Sequence, residues 1–459
     1  MDAGAFGGST ASTASTASAA LRSAGPRSAG PRSAAATRLG LGVAQASRRL
    51  GLGSGSVIGG RVTLALDGQA LARHAEGRRL ALVSGTNGKT TTTRLLSTAM
   101  GAAGPVATNS DGSNLPAGLV ATLSRAPDGV PGALEVDEAW LGHVAQAVGP
   151  EVVVLLNLSR DQLDRVSEVR RLGLAWRGMV AGLPDARIVA NADDPIVAWA
   201  AMASGRVSWV AAGAGWRLDS TGCPACDAQL DFEAGSWECR SCGISRPSPG
   251  TWLEDGCLAT ADGRRLAFDL ALPGQFNRAN AAMAAVAAEL MGTPVTDALS
   301  AMAGVSDVGG RFQVLDLPRP GGGPGAAGGP GRGANRARLL LAKNPAGWAE
   351  LLALLETLSP PGAPVVLGIN ARIADGRDPS WLWDVDFERL AGRFAVATGD
   401  RCADLAVRLR YAGVCHVVQA RPLAALAAAA SAPGAEEVLD VVANYTAFQD
   451  IRRALERSP

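Results

Sequence analysis

The stretch Arg79–Leu96, RLALVSGTNGKTTTTRLL, decides how this chain is read. An apolar run from Leu80 to Val83 leads into Gly85-Thr86-Asn87-Gly88-Lys89-Thr90-Thr91, and a helix-compatible TTTTRLLSTAM follows. A strand feeding a glycine turn at the start of a helix aims several backbone N–H groups at one point, which suits an anion. Lys89 adds a point charge for β- and γ-phosphates, and Thr90 adds a hydroxyl for Mg²⁺. The segment fails the usual P-loop expression, which needs a glycine where Val83 stands, yet it keeps the parts that hold phosphate. A Gly-Lys-Thr turn opening a surface helix would explain the tripeptide but not the strand before it. Nucleotide binding is the expectation.

At 459 residues the chain is too long for one typical core, and roughly three domains are expected. A net charge of +1 with both signs mixed leaves no electrostatic footprint for nucleic acid or an anionic membrane. No apolar run approaches the roughly 18 residues that span a bilayer, and no segment reads as a signal peptide. A soluble, cytoplasmic protein is expected. Residues 1–45 are mostly Ser, Ala, Thr, Gly and Pro with scattered Arg, and read as a disordered extension or, less well, a transit peptide. A second biased run, PRPGGGPGAAGGPGRGANR, reads as a linker or loop over 317–336 near a domain boundary.

Between these runs, strand-like segments alternate with helical patterns: ALVSG, ALEVDE, EVVVLLNLS and ARIVANADD, then RARLLLA, PVVLGINA, RFAVATG and GVCHVVQA. Such alternation predicts an α/β fold with parallel sheets covered on both faces, in two domains spanning 46–316 and 337–459. Ligands of such sheets bind beyond the strand carboxyl ends, where the glycine loop, Asn157 and Asn370 fall. Cys223-Pro-Ala-Cys226 and Cys239-Arg-Ser-Cys242 stand twelve residues apart, the spacing of a four-thiolate Zn²⁺ ribbon inserted over about 218–250. With every coordination position taken by protein, the metal would be structural. A disulfide pair is the rival reading, and a cytosolic chain argues against it. Cys257, Cys402 and Cys415 are isolated and read as small core residues. A ribbon also raises the possibility of a nucleic-acid ATPase, but residues 227–246 carry four acids against two arginines.

Downstream of the glycine loop come LEVDEAWL, LLNLSRDQLDR, VANADDP and PGQFNRANAAMAA, in that order. With the short form GTNGKT, this order resembles the Mur ligases, ATP-dependent enzymes that join an amine to a carboxylate. The resemblance implies a central P-loop ATPase domain followed by a smaller α/β domain. It also implies that Gly85 to Thr91 cradle ATP, and that Glu135, with Glu138 as the alternative, holds Mg²⁺ together with Thr90. Asn277 and Asn280 would contact adenine, Arg311 would approach the nucleotide at the hinge, and Asn191, Asp193 and Asp194 match the family's N-x-D-D segment. Some of these have plainer readings, since Asp194-Pro195 and NRANAA also read as helix starts. Gln162 stands where most members carry a metal-holding His.

The second domain departs from most members by carrying NARIADGRDPSWLWDVDFERL, Asn370 to Leu390, in place of the usual signature for gripping an amino acid. This segment and the four-cysteine insertion resemble one branch of the family, the ligase-like subunits that amidate lipid II. The branch implies phosphorylation of the D-glutamate α-carboxyl of the stem peptide and displacement of phosphate by ammonia. It implies a separate glutamine amidotransferase subunit as the ammonia source. The chain itself offers no credible glutaminase: its cysteines are committed or isolated, and His74, His143 and His416 sit in no nucleophile motif. By resemblance, Asp375 or Asp378, with Asp384 as runner-up, would orient the partner's catalytic pair; these acids also read as caps of an SWLWDVDF helix. Trp381 and Trp383 read as core or interface anchors. The alternative within the family is a ligase adding an amino acid to a carboxylate, as folylpolyglutamate-type enzymes do.

Overall fold

A computed structural model describes residues 31–49, 56–109, 113–160, 166–213, 218–233, 235–306, 311–318 and 334–458. It begins with α1 (Pro31–Arg49), α2 (Ser56–Leu66) and α3 (Ala70–Ala75). The first sheet is built from β1 (Leu80–Ser84), β2 (Ala107–Thr108), β3 (Gly132–Glu135), β4 (Val152–Leu155), β5 (Arg187–Asn191) and β6 (Val207–Ala211). Threaded among them are α4 (Lys89–Gly101), α5 (Pro116–Leu123), α6 (Leu141–Val148), α7 (Val166–Ala181) and α8 (Pro195–Ala201). A small hairpin, β7 (Asp231–Glu233) and β8 (Ser236–Glu238), stands apart, and β9 (Thr251–Glu254), β10 (Cys257–Thr260) and β11 (Arg265–Ala267) return to the sheet. Helices α9 (Gln275–Leu290) and α10 (Val295–Ala303) complete this half.

The nine strands run in the order β11-β10-β9-β6-β5-β4-β1-β3-β2, parallel except across β9, β10 and β11. Alternation along β1 divides the core. Ala81 and Val83 pack with α4 and α9 on one face, while Leu80 and Leu82 join α5, α6 and α7 on the other. Because β3 and β4 flank β1 on opposite sides, the chain reverses its winding there, and the carboxyl end of β1 opens a crevice. The glycine loop lies in that crevice.

The second sheet contains β12 (Phe312–Asp316), β13 (Arg336–Leu341), β14 (Val365–Gly368), β15 (Phe394–Thr398), β16 (Cys415–Val418) and β17 (Val438–Ala443), in the order β12-β13-β17-β14-β15-β16. It is covered by α11 (Pro345–Leu358), α12 (Cys402–Tyr411), α13 (Pro422–Ala430) and α14 (Tyr445–Glu456).

Three sequence expectations change. The extension expected to lack structure up to residue 45 is helical from Pro31, as α1. Its buried residues include Ala36, Gly40, Ala44 and Ser47, small side chains at helical spacing that let α1 lie close on α2, and so the segment packs without the large apolar residues that a composition count looks for. The boundary at 316 also moves. β12 pairs antiparallel with β13, Phe312 opposite Leu340, so the Gly-rich run joins two strands of one hairpin in the second domain instead of linking the domains. Residues 319–333 lie outside the described residues. Finally, SWLWDVDF is no α-helix but two short 3₁₀ turns, Ser380–Asp384 and Phe387–Leu390. Trp381 is buried against Trp348, and Trp383 is 54% exposed with its edge on Tyr411.

Candidate nucleotide and ligation site

Gly85 and Gly88 are fixed by crowding. Gly85 has φ +156°, and a Cβ there would stand 2.8 Å from the Leu156 Cβ and 3.1 Å from the Asn157 nitrogen. Gly88, at φ +83°, precedes α4, and its Cβ would meet the Asn280 Oδ1 at 2.6 Å. The loop is clamped from the segment after β4. The Asn87 N–H donates to Asn157 Oδ1 (2.9 Å), and Asn157 Nδ2 donates back to the Asn87 carbonyl (3.0 Å). Thr86 Oγ1 donates to the Ser159 carbonyl and accepts from the Ser159 N–H. This reciprocal clamp presents the loop as a preformed cradle at the start of α4, where an anion is favoured.

Lys89 is buried and turns back on its own loop. Its Nζ donates to the carbonyls of Gly85 (2.6 Å) and Thr86 (3.2 Å) and to Glu138 Oε2 (2.9 Å). Burial pushes the Glu138 carboxyl above its ordinary range, and the Lys89 charge pulls against that. Thr90 Oγ1 donates to Glu135 Oε2 (2.7 Å), and Asn114 Nδ2 donates to Glu135 Oε1 (3.1 Å). The Asn109 side chain exchanges hydrogen bonds of 2.8 Å with both the N–H and the carbonyl of Glu135, fixing the end of β3. A hydroxyl and a carboxylate oxygen thus converge beside the phosphate cradle, a donor set of hard oxygens that suits Mg²⁺. Glu135 faces Thr90 whereas Glu138 faces Lys89, which separates the two carboxylates the sequence left as alternatives. If this pair holds Mg²⁺, changing Glu135 to Gln is expected to raise the Mg²⁺ concentration needed for half-maximal ATP turnover by about tenfold or more, because it removes the one charged oxygen donor of the pair. A Mg²⁺ titration at saturating ATP checks this.

The cradle opens into a cavity of about 370 Å³ between the domains. Asn277, Asn280 and Arg311 all line it, as do Asn157, Asn191 and Asp194. Asn277 Nδ2 is held by the Pro273 carbonyl (2.6 Å). Asp194 is committed to framework: it caps α8 through the N–H groups of Ile196 and Val197 and also accepts from Leu158. Burial pushes its carboxyl up to about 6 against those three amides. Asp193 accepts from the Gly213 N–H (2.7 Å) and from Arg246 (2.6 Å). The plainer capping reading therefore holds for Asp194, while Asp193 ties the loop to the insertion. Gln162 lies outside the described residues.

One face of α11, including Gly347, Glu350 and Leu354, closes the cavity from the second domain. Sequence reasoning missed this contribution. Asn87 Nδ2 donates to Asn344 Oδ1 (3.3 Å), joining the cradle to the start of α11, and the Asn344 amide nitrogen is buried without a hydrogen bond. Burial also pushes the Glu350 carboxyl up. The signal was present in LAKNPAG, an Asn-Pro helix start directly after a strand.

The acids of the ADGRD turn lie away from this cavity's lining. Asp375 is buried, accepting from the Thr446 N–H (2.8 Å) and pairing closely with the Thr446 hydroxyl. Asp378 is exposed and accepts from the Ser380 N–H (2.9 Å) at the entry to the first 3₁₀ turn, which holds its carboxyl low. Asp384 approaches Arg160 of the first domain at 3.8 Å.

The four thiols of Cys223, Cys226, Cys239 and Cys242 lie within 4.8 Å of one another, with Cys223–Cys242 at 3.6 Å and Cys226–Cys239 at 3.5 Å. Such sulfur separations match a tetrahedral site with metal–sulfur bonds of about 2.3 Å. The cluster can hold a metal ion with no open position.

The comparisons with known proteins agree with this architecture. Residues 83–288 match the Mur ligase middle domain, and residues 341–448 match the MurT ligase C-terminal domain. Among solved structures, a pseudomurein peptide ligase type C from Methanothermus fervidus superposes with a TM-score of 0.62 at 19% identity, covering 83% of this chain and 79% of that one. MurF from Acinetobacter baumannii gives 0.58 at 15% identity over 87% and 81%. These matches give the chain a Mur ligase-like α/β fold, a class of architecture with a central sheet and a C-terminal α/β domain. Within that class its particular likeness is to MurT. It is 28% identical to the protein named "Lipid II isoglutaminyl synthase (glutamine-hydrolyzing) subunit MurT" of Streptococcus pneumoniae, over 79% of this chain and 83% of the relative. The Staphylococcus aureus protein of the same name is also 28% identical, over 81% and 86%.

Proposed function

We propose that this chain is the ATP-dependent half of a lipid II amidating enzyme in peptidoglycan synthesis. ATP would phosphorylate the α-carboxylate of D-glutamate in the stem peptide, and ammonia would then displace phosphate from the acyl phosphate to leave D-isoglutamine. A carboxylate resists direct amidation because its leaving group would be oxide; phosphorylation removes that obstacle. The observation that carries the reading is one preformed cradle that holds both Lys89 and a Thr90–Glu135 oxygen pair, in a chain similar to MurT along most of its length.

Within this reading the residues act chiefly by position and charge. The amides at the start of α4 orient the phosphates. Lys89 leaves Glu138 and neutralises charge on the transferring group. Thr90 and Glu135 would hold Mg²⁺, which would supply further neutralisation of phosphate charge. Asn277, Asn280 and Arg311 would contact the nucleotide. Zn²⁺ would sit on the four thiols as a structural ion. The ammonia would come from a GatD-type glutamine amidotransferase. Of the two acids assigned toward that partner, Asp378 is the better placed, since it is exposed, whereas Asp375 is occupied by Thr446. No helix among the described residues is long and apolar enough to cross a membrane. In this reading the chain would meet lipid II at the cytoplasmic membrane surface.

The test is to purify the chain with its amidotransferase, supply ATP, glutamine and lipid II, and weigh the stem peptide. Replacement of one carboxyl by a carboxamide, dependent on both subunits, supports the proposal. Unchanged peptide from a verified complex would sink it. Amino-acid-dependent ADP release by this chain alone would favour an amino-acid-adding ligase instead.

A further inference from the structure

The four-cysteine insertion does more than brace the fold, because it reaches the nucleotide cavity. Strands β1, β4, β5 and β6 are successive neighbours, so the end of β6 lies three strand spacings, about 14 Å, from the phosphate cradle. That is comparable with the length of an extended nucleoside triphosphate. A nucleotide with its phosphates on the glycine loop therefore brings its base near the ends of β5 and β6. There the cavity is walled by Asn191, Gly213, Ser220 and Phe232. Phe232 belongs to β7 in the insertion, and Ser220 to the turn that leads into it.

The insertion is also wired to that end of the cavity. Trp237, on β8, is buried and donates its Nε1–H to the Ala192 carbonyl (3.0 Å). Arg246, four residues past Cys242, pairs with Asp193, whose other oxygen accepts from the Gly213 N–H on the cavity wall. The insertion has little core of its own: Cys223, Leu230, Trp237 and Cys239 bury against Ala198 of α8. Two strands of three residues cannot hold their shape on that much apolar contact. A metal on the thiols would fix the hairpin, and with it Phe232.

We propose that the metal-bearing insertion is the base-side wall of the nucleotide site, with Phe232 stacking on the base, so that metal occupancy of the four thiols sets nucleotide affinity. This rests on reading the cavity as an ATP site. The test measures binding of ATP and of inorganic tripolyphosphate to the full chain by calorimetry, with metal content assayed in parallel. Phe232→Ala is expected to weaken ATP about tenfold, the scale of an aromatic–base stack, while tripolyphosphate affinity and metal content stay as in the parent chain. Phe232→Tyr should bind ATP as the parent does. Chelating the metal should weaken ATP at least as much as Phe232→Ala. Unchanged ATP affinity in Phe232→Ala or in the metal-stripped chain overturns the proposal, as does a parallel loss of tripolyphosphate binding, which would mark general damage. If the untreated chain binds tripolyphosphate but not ATP, the base-side wall is wrong; if it binds neither, the nucleotide reading itself fails first.

Discussion

Lys89→Ala is expected to lower ATP-dependent turnover roughly 10²–10³-fold, the scale of removing one preorganised charge from a developing transition state. The loss should fall in kcat, because the loop amides and the cavity walls still bind nucleotide. Stability changes too, for a reason specific to this site. Lys89 is the cation beside a partly buried Glu138, and deleting it leaves that carboxylate without its partner, at a cost of about 1–3 kcal/mol. Adding Glu138→Gln should return the stability without returning the turnover. Single-turnover kinetics and thermal unfolding of both variants separate the two effects. Turnover of Lys89→Ala within tenfold of the parent would mean the loop is only structural.

The second large effect concerns the thiols. Cys223 is buried and belongs to the small apolar cluster with Trp237 and Leu230, so Cys223→Ser would remove a candidate metal ligand and a core atom together. Metal content should fall from about one ion per chain to near zero, since structural zinc sites need all four ligands. Stability should fall by several kcal/mol, lowering the unfolding midpoint by roughly 5–10 °C for a domain of this size. Elemental analysis and a thermal scan report both. Cys226→Ser, at an exposed position, should lose metal with a smaller stability loss. Metal retained in either variant would contradict the four-thiolate site.

Much of this architecture was legible in the sequence, and the exceptions have physical causes. Every strand-like run singled out in the sequence is a strand, mostly because buried parallel strands are continuous apolar runs that composition reveals. β16 is the exception, an edge strand that is largely exposed, and its Cys415, expected in the core, is exposed. The strands that were missed, such as β12 and β17, carry Gln313, Asp316 and Asp440 and lose that signature. Asp440 is buried beneath Arg338, a pairing fixed only when β13 and β17 lie side by side. The resemblance implies that Thr90 and Glu135 share Mg²⁺, and the two side chains lie in hydrogen-bond contact. The Asn87–Asn344 contact was not legible in the sequence, since it joins residues on different domains. α1 hid because its packing surface is made of alanine and glycine, residues that also compose unstructured chain.

The pairing of Lys89 with Glu138 gives the site a resident counter-ion. Lys89 already has a counter-ion in Glu138, so a phosphate would enter by exchange with a carboxylate already in place. Nucleotide affinity would then be a difference between two anions for one ammonium group, and a displaced Glu138 would have to find its own neutrality in a partly buried setting. A protein arranged this way keeps its cation organised while waiting.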